Sequence, residues 1–212
     1  GRSKTESVWR STFYQTMNAD IYPTHGLAPL YLLAGIGRTD ELVRLTSFAS
    51  KAVGLHRRIK ELGGDVNQPV SLADIVSTQL ETRNGLLLSL VHDTTLPRPL
   101  SLDFEVQGTL GIWKGDERKI YIEGNGEPEE WQSDEPYINR YQTEYWKRWG
   151  DEALAVDTHH QGMDYIMLKA LEAQLKREIT YPVSLADLAA WAAVTPLSQK
   201  SISGHGSVKF EI

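Results

Sequence analysis

The stretch LLLSLVHDTTLPRPLSLDFEVQ, residues 86–107, carries the signal that decides the fold. Leu86 to Val91 is a short apolar run interrupted only by Ser89, the length and character of a buried strand. Downstream, Leu100, Leu102, Phe104 and Val106 alternate with Ser101, Asp103, Glu105 and Gln107. A period of two places apolar side chains on one face of a strand and polar ones on the other. Asn84-Gly85 stands just before the first run and is a strong hairpin signal. Arg118 to Glu123 continues the alternation, with Ile120 and Ile122 inward and Tyr121 outward. The middle of the chain therefore reads as a run of strands.

Helical signals flank that run. Upstream, Thr24 is the expected N-cap of a helix reaching about Gly35, with Leu27, Leu30, Tyr31 and Ala34 on one stripe and Gly35 and Gly37 ending it. Glu41 to Ser50 reads as a strand and residues 53–64 as a short charged helix ending at Gly63-Gly64. Downstream, residues 124–135 are rich in Gly, Pro and acids and read as a loop. Tyr137 to Trp149 and residues 160–177 read as helices, and Ser207 to Ile212 as an added edge strand. The hexapeptide Pro69-Val70-Ser71-Leu72-Ala73-Asp74 recurs as Pro182-Val183-Ser184-Leu185-Ala186-Asp187. The first copy runs into branched Ile75-Val76-Ser77-Thr78, which favours a strand. The second runs into Leu188-Ala189-Ala190-Trp191, which favours a helix, with Ser184 and Asp187 as a capping-box-like start. Nothing around the two copies matches, so they mark reuse rather than duplication. Strands in one block and helices in another give an α+β class: a large, mostly antiparallel open sheet covered on one face by helices.

Composition narrows the function classes. The chain has 212 residues, 41% hydrophobic and 24% charged, and a mean hydropathy of -0.36. These are ordinary globular values. No apolar run approaches the length needed to insert in a bilayer. Net charge is -6, and Lys and Arg form no cluster, which argues against nucleic acid and anionic membranes as partners and leaves room for a neutral ligand such as a sugar. There are no cysteines, so disulfides, thiolate metal sites and cysteine nucleophiles are excluded. The compartment is not fixed: bacterial cytoplasm, or the periplasm and beyond if a signal peptide exists outside the sequence. A start at Gly1 without an initiator Met is expected of a piece of a longer chain. The glycine doublets Gly35-x-Gly37 and Gly204-x-Gly206 lack a third glycine and a βαβ setting, so no dinucleotide site is expected on this chain.

Six histidines are present. His56 and His205 read as surface residues. His25 falls on the first helical turn after Tyr22-Pro23-Thr24, where a neutral imidazole can accept a proton; a general base and a histidine satisfying local hydrogen bonds both fit. His92 and Asp93 head a polar loop at a strand end, the kind of place that lines sites, and a self-satisfied turn fits them as well. His159-His160 with Asp157 and Asp164 suggests a metal, but adjacent histidines diverge and no third ligand is spaced to help, so no metal is expected. No pair of carboxylates stands out as a two-acid glycosidase, and no G-x-S-x-G elbow occurs.

Four runs taken together carry a resemblance: Tyr22-Pro23-Thr24-His25-Gly26-Leu27, then His92-Asp93-Thr94-Thr95 with Pro97-Arg98-Pro99, then Gly108-Thr109-x-Gly111, then His160-Gln161-Gly162-Met163-Asp164. In this order and spacing the chain resembles the C-terminal domain of NAD-dependent glycoside hydrolases of family 109, the α-N-acetylgalactosaminidase-like branch of the Gfo/Idh/MocA oxidoreductase superfamily. The resemblance covers almost all of residues 1–212, as a single C-terminal substrate-binding and oligomerisation domain, and not the Rossmann domain of the family. It implies a carbohydrate substrate, an NAD cofactor bound mainly outside this chain, and a homo-oligomer built through the sheet face. It implies hydrolysis by transient oxidation at sugar C3, loss of the C2 proton, elimination and re-reduction, with the isolated chain inactive. It makes Tyr22 and His25 the catalytic candidates, and Arg10, Tyr22, Pro23, Thr24, His25 and Tyr121 the substrate-binding set, with His92, Asp93 and His160 as site-lining candidates. The sequence departs from the family at His159-His160-Gln161 and at Leu100-Ser101-Leu102. A sugar oxidoreductase of the same superfamily, or a non-catalytic sugar-binding or assembly module, is the alternative reading.

Overall fold

The computed structural model describes residues 8–65, 67–93, 96–156 and 159–211, without the side chains of residues 8–11 and 159. They fall into two compact units, one made of the chain up to Leu100 together with Leu185–Ile212, the other of Ser101–Ser184. The class is α+β, and every ladder is antiparallel. The strands are shared between two four-stranded sheets rather than gathered in one large sheet.

The first unit contains α1 (Val8–Thr16), α2 (Thr24–Leu33), β1 (Leu42–Ala49), α3 (Val53–Glu61), β2 (Ile75–Thr82), β3 (Leu87–Asp93), α7 (Leu185–Gly204) and β8 (Val208–Lys209). Its sheet runs β3-β2-β1-β8. Gly85 takes a positive φ in the β2–β3 hairpin, as Asn84-Gly85 requires. Leu45, Val76, Leu80, Leu88 and Leu90 are buried from the sheet side. Helix α7 buries Asp187, Ala190, Trp191, Val194, Ser198 and Ser201 at helical spacing. Helix α2 buries Leu27 and Tyr31, the centre of its expected stripe. Gly26 lies 3.4 Å from Leu90 Cδ2 as measured from where its Cβ would stand, so α2 rests on β3. Strand β3 is not buried on both faces as its leucine content suggests: Leu87 is 73% and Val91 64% exposed. Only Leu88, Leu90 and His92 point into the core.

Two aspartates tie this unit together, and they are the last residues of the two copies of the repeated hexapeptide. Ala52 precedes α3 and has no side chain to cap it. The cap comes from Asp74, whose carboxylate accepts the amides of Val53, Gly54 and Leu55 at 2.8, 2.7 and 3.1 Å. Asp187 is instead held by Arg38, at 3.2 Å to Nη1 and 3.0 Å to Nη2, a bidentate pair. Gly37 allows that approach. Its φ is 78°, and a Cβ there would fall 2.6 Å from Tyr31 Oη and 3.1 Å from Asp187 Oδ1. Thr24 is not the N-cap of α2. Pro23 occupies that position and Thr24 is the first helical residue.

The second unit contains β4 (Glu105–Gly108), β5 (Gly111–Lys114), β6 (Lys119–Ile122), β7 (Gln132–Ser133), α4 (Glu135–Arg140), α5 (Glu144–Val156), a single 3-10 turn (His159–Gly162) and α6 (Met163–Leu175). The alternating stretch 100–107 becomes strand only from Glu105, and Leu100 is 95% exposed. The reason is local. Asp116 accepts the amides of Leu102 and Asp103, both at 2.8 Å, and Asp103 turns to a φ of 49°, so these groups leave the ladder. Tyr121 does not alternate outward against Ile120 and Ile122; all three are half-buried. The expected single helix over Tyr137 to Trp149 is two, interrupted at residues 141–143. The helix expected from residue 160 starts at Met163, because His160, Gln161 and Gly162 are all left-handed. Among the described residues no helix is long and apolar enough to cross a membrane.

Removing the remote cap gives a direct test of this architecture. Asp74→Ala is expected to lower unfolding free energy by about 2 kcal/mol, three first-turn amides losing their acceptor at once. Asp74→Asn is expected to cost less. Urea unfolding read by circular dichroism checks both, and an unchanged midpoint for the alanine variant contradicts the assignment.

Candidate active site

The segment from Asp20 to His25 leads into α2 and is fixed before the helix begins. Asp20 is 2% exposed. Its amide donates to Ser198 Oγ at 3.0 Å and its carbonyl accepts from Thr195 Oγ1 at 2.8 Å, so α7 holds the main chain at both sides of this residue. Its carboxylate Oδ1 accepts the Tyr22 amide at 3.3 Å, an Asx-type turn. Pro23 is buried and sets φ at -71° for entry into the helix.

This anchoring leaves a polar surface outside. Tyr22 is 47% exposed, and Thr24 and His25 are exposed. The phenol and the imidazole stack, with ring centroids 4.7 Å apart and planes 19° from parallel. One ring can move a proton and the other can hold a hydroxyl, and both face solvent from a rigid base. The structure therefore brings Tyr22, Thr24 and His25 together at one helix start. The Arg10 side chain lies outside the described residues.

Burial pushes the Asp20 carboxyl up to about 6 from 3.8, and the Tyr22 amide bond only partly opposes it. The folded state thus keeps its proton to higher pH than the unfolded chain. Its stabilising effect is complete below about pH 4 and is lost as pH rises through about 6. A displacement of that size is worth on the order of 3 kcal/mol at neutral pH. Sequence reasoning missed Asp20: its place two residues before Tyr22 marks a turn, but nothing local marks its burial.

His92 and Asp93 end β3 in the same unit. His92 faces the core beside Val76, and its Nδ1 has no hydrogen-bond partner among the described residues. Burial pushes this imidazole down to about 4, so it is neutral at physiological pH. Asp93 Oδ1 is also buried without a hydrogen-bond partner among the described residues, while Oδ2 lies 3.5 Å from Arg98 Nη1. Thr94 and Thr95 lie outside the described residues.

Tyr121 and His160 belong to the other unit. Tyr121 pairs with Ile112 in the β5–β6 ladder. His160 Nδ1 is 2.8 Å from Asp164 Oδ2, on an exposed turn with a φ of 47°. Beside β6, Asp134 is buried; desolvation alone would raise its pKa, but bonds from Trp113 Nε1 at 2.8 Å and Arg118 Nε at 2.6 Å hold it below the usual carboxylate range. Among the described residues no three metal-ligating side chains converge. Nor do they form a dinucleotide cradle: both sheets are antiparallel, and no strand leads through a glycine-rich turn into a helix. Among the described residues nothing is shaped to hold NAD.

The chain is similar to known proteins. Residues 1–210 match the family described as Glycosyl hydrolase 109, C-terminal domain. The chain is 36% identical over 208 residues to an alpha-N-acetylgalactosaminidase of Tannerella forsythia, covering 96% of this chain and 44% of that protein. It is 36% identical over 204 residues to a glycosyl hydrolase family 109 protein of Stenotrophomonas maltophilia, covering 94% and 44%. The chain thus spans less than half the length of these relatives. Solved structures share the fold at low identity. A levoglucosan dehydrogenase in complex with NADH and levoglucosan aligns with a TM-score of 0.53 at 16% identity, over 81% of this chain and 46% of that one. An oxidoreductase domain protein from Kribbella flavida aligns at 0.53 and 13%, over 87% and 48%. With the fold, the Tyr-Pro-Thr-His segment at the start of α2 and a match over nearly its whole length, the chain belongs to the glycosyl hydrolase 109 C-terminal domain family.

Proposed function

We propose that this chain is the substrate-binding part of an NAD-dependent glycosidase that hydrolyses glycosides by transient oxidation at sugar C3 and elimination. The nucleotide is assigned to a part of the parent protein outside this chain, and the chain alone is expected to be inactive. The observation that carries the reading is the stacked, solvent-facing Tyr22–His25 pair on a segment bolted to α7. Rigid placement of a proton-moving group is what such a site needs.

In this reading His25 takes the proton from sugar C2, and Tyr22 positions a neighbouring hydroxyl through its phenol. Thr24 and Arg10 add polar contacts to the ring, and Pro23 keeps the approach stiff. An N-acetylated hexosamine glycoside is the substrate class, by similarity to the Tannerella relative. We further assign the open face of the first sheet, with Phe48, Leu87 and Val91 exposed, to contact with a second copy of the chain.

A second reading, simple sugar oxidation, draws support from the fold shared with the levoglucosan dehydrogenase. The products separate the two: free aglycone for the first, net NADH for the second.

In the parent protein, His25→Gln is expected to lower kcat on an aryl N-acetylhexosaminide by about 10²–10⁴-fold while leaving Tm nearly unchanged. Tyr22→Phe is expected to have a smaller effect of the same kind. A collapse of Tm in His25→Gln returns the histidine to a structural role. For the sheet face, Val91→Arg is expected to halve the mass seen by analytical ultracentrifugation without unfolding; an unchanged mass removes the face from the account.

A further inference from the structure

The Asp20 carboxyl has no part in the proposed chemistry, although Asp20 is the residue that fixes the segment. Its main chain is tied to α7 by Ser198 and Thr195. Its side chain is tied to Tyr22. Among the described residues the Tyr22 amide is the one hydrogen-bond donor to that carboxyl. An asparagine would accept the same bond through its own oxygen with no charge to desolvate. The fold therefore carries an ionisable group where a neutral one would serve, and does so on the amide of a residue that forms an exposed phenol–imidazole stack. Buried titratable groups kept at a stability cost mark functional sites.

We propose that Asp20 is a positioning residue for the Tyr22–His25 pair: its carboxyl acts through the Tyr22 amide, and its protonation state sets how the phenol is placed over the imidazole. This rests on the reading of that pair as the sugar-contacting groups. Ionised, the carboxylate accepts a charge-assisted bond from the Tyr22 amide and holds the turn. Protonated, it is a weaker acceptor, and the turn loosens. Burial places the changeover near pH 6, with the firm arrangement above it. The described titratable and charged side chains on the elements around Asp20 are Tyr14 on α1, His25 and Tyr31 on α2, Asp187 and Lys200 on α7, and His205 just after α7. Asp187 is engaged by Arg38, and Lys200 and His205 are exposed. Desolvation causes the displacement and the Tyr22 amide opposes it in part, so the changeover follows from burial and not from a partner charge.

The test is a pH titration of the full chain by NMR, following the Tyr22 amide and the ring-to-ring contacts of Tyr22 and His25 in wild type, Asp20→Asn and His25→Gln. Wild type is expected to show a step in the Tyr22 amide near pH 6, with weaker ring contacts below it. The amide step is expected to persist in His25→Gln and to vanish in Asp20→Asn, whose ring contacts stay constant with pH. A step that persists in Asp20→Asn, or that disappears with His25, overturns the proposal. If Asp20→Asn does not fold, the comparison of wild type with His25→Gln still decides: a step lost with the imidazole belongs to the imidazole. The readout needs no turnover. A parent protein that cleaves no N-acetylhexosaminide sinks the glycosidase reading and leaves the answer on Asp20 standing.

Discussion

Two serine hydroxyls on the buried face of one helix hold the first unit in register. Ser198 and Ser201 of α7 are fully buried, and each accepts a backbone amide from another element. Ser198 takes the amide of Asp20 at 3.0 Å, and Ser201 that of Ser47 in β1 at 2.9 Å. Ser201 then donates to the Gly206 carbonyl at 2.6 Å. Strand β8 pairs with β1 only at Arg44 and Leu45. Just beyond, the Ser201 hydroxyl completes the rung between Ser47 and Gly206. A buried amide without an acceptor costs about 1–3 kcal/mol, so neither serine is interchangeable with alanine at the same packing volume.

The same helix explains why the candidate site is rigid. A tyrosine and a histidine at a helix start would ordinarily share the motion of the loop before them. Here that loop is clamped by Ser198 and Thr195 before it reaches the surface. Apolar burial positions the helix, hydroxyls position the main chain, and the main chain positions the two rings. The carboxyl of Asp20 is the weak point in that order, buried with one donor and a displaced ionisation.

Much of this was legible in the chain itself. The Leu27–Tyr31 stripe, the Asn84-Gly85 turn and the edge strand at residues 208–209 follow from period and turn chemistry. The repeated hexapeptide was resolved by what comes after it: branched residues carried Ile75–Thr82 into a strand and alanines carried Leu185–Gly204 into a helix. Elsewhere side chains distant in sequence took over backbone groups. Asp116 captured the amides that would have extended β4 upstream. Asp74, not a residue adjoining the helix, capped α3. In β3, leucine on both faces read as burial on both, yet the sequence does not say that no helix covers the Leu87–Val91 face. Tyr22 and His25 could be named as candidates because their motif is local. Asp20 was missed because its partners, Thr195 and Ser198, are far along the chain.

The claim at the centre is that the surface built by Tyr22 and His25 handles the proton on the sugar carbon next to the site of transient oxidation. Hydrolysis by the parent protein in deuterated water, with mass spectrometry of the released sugar, tests it most directly. The account predicts one solvent deuterium at C2 of the product. A released sugar that retains its original hydrogen at C2 through complete turnover would contradict it.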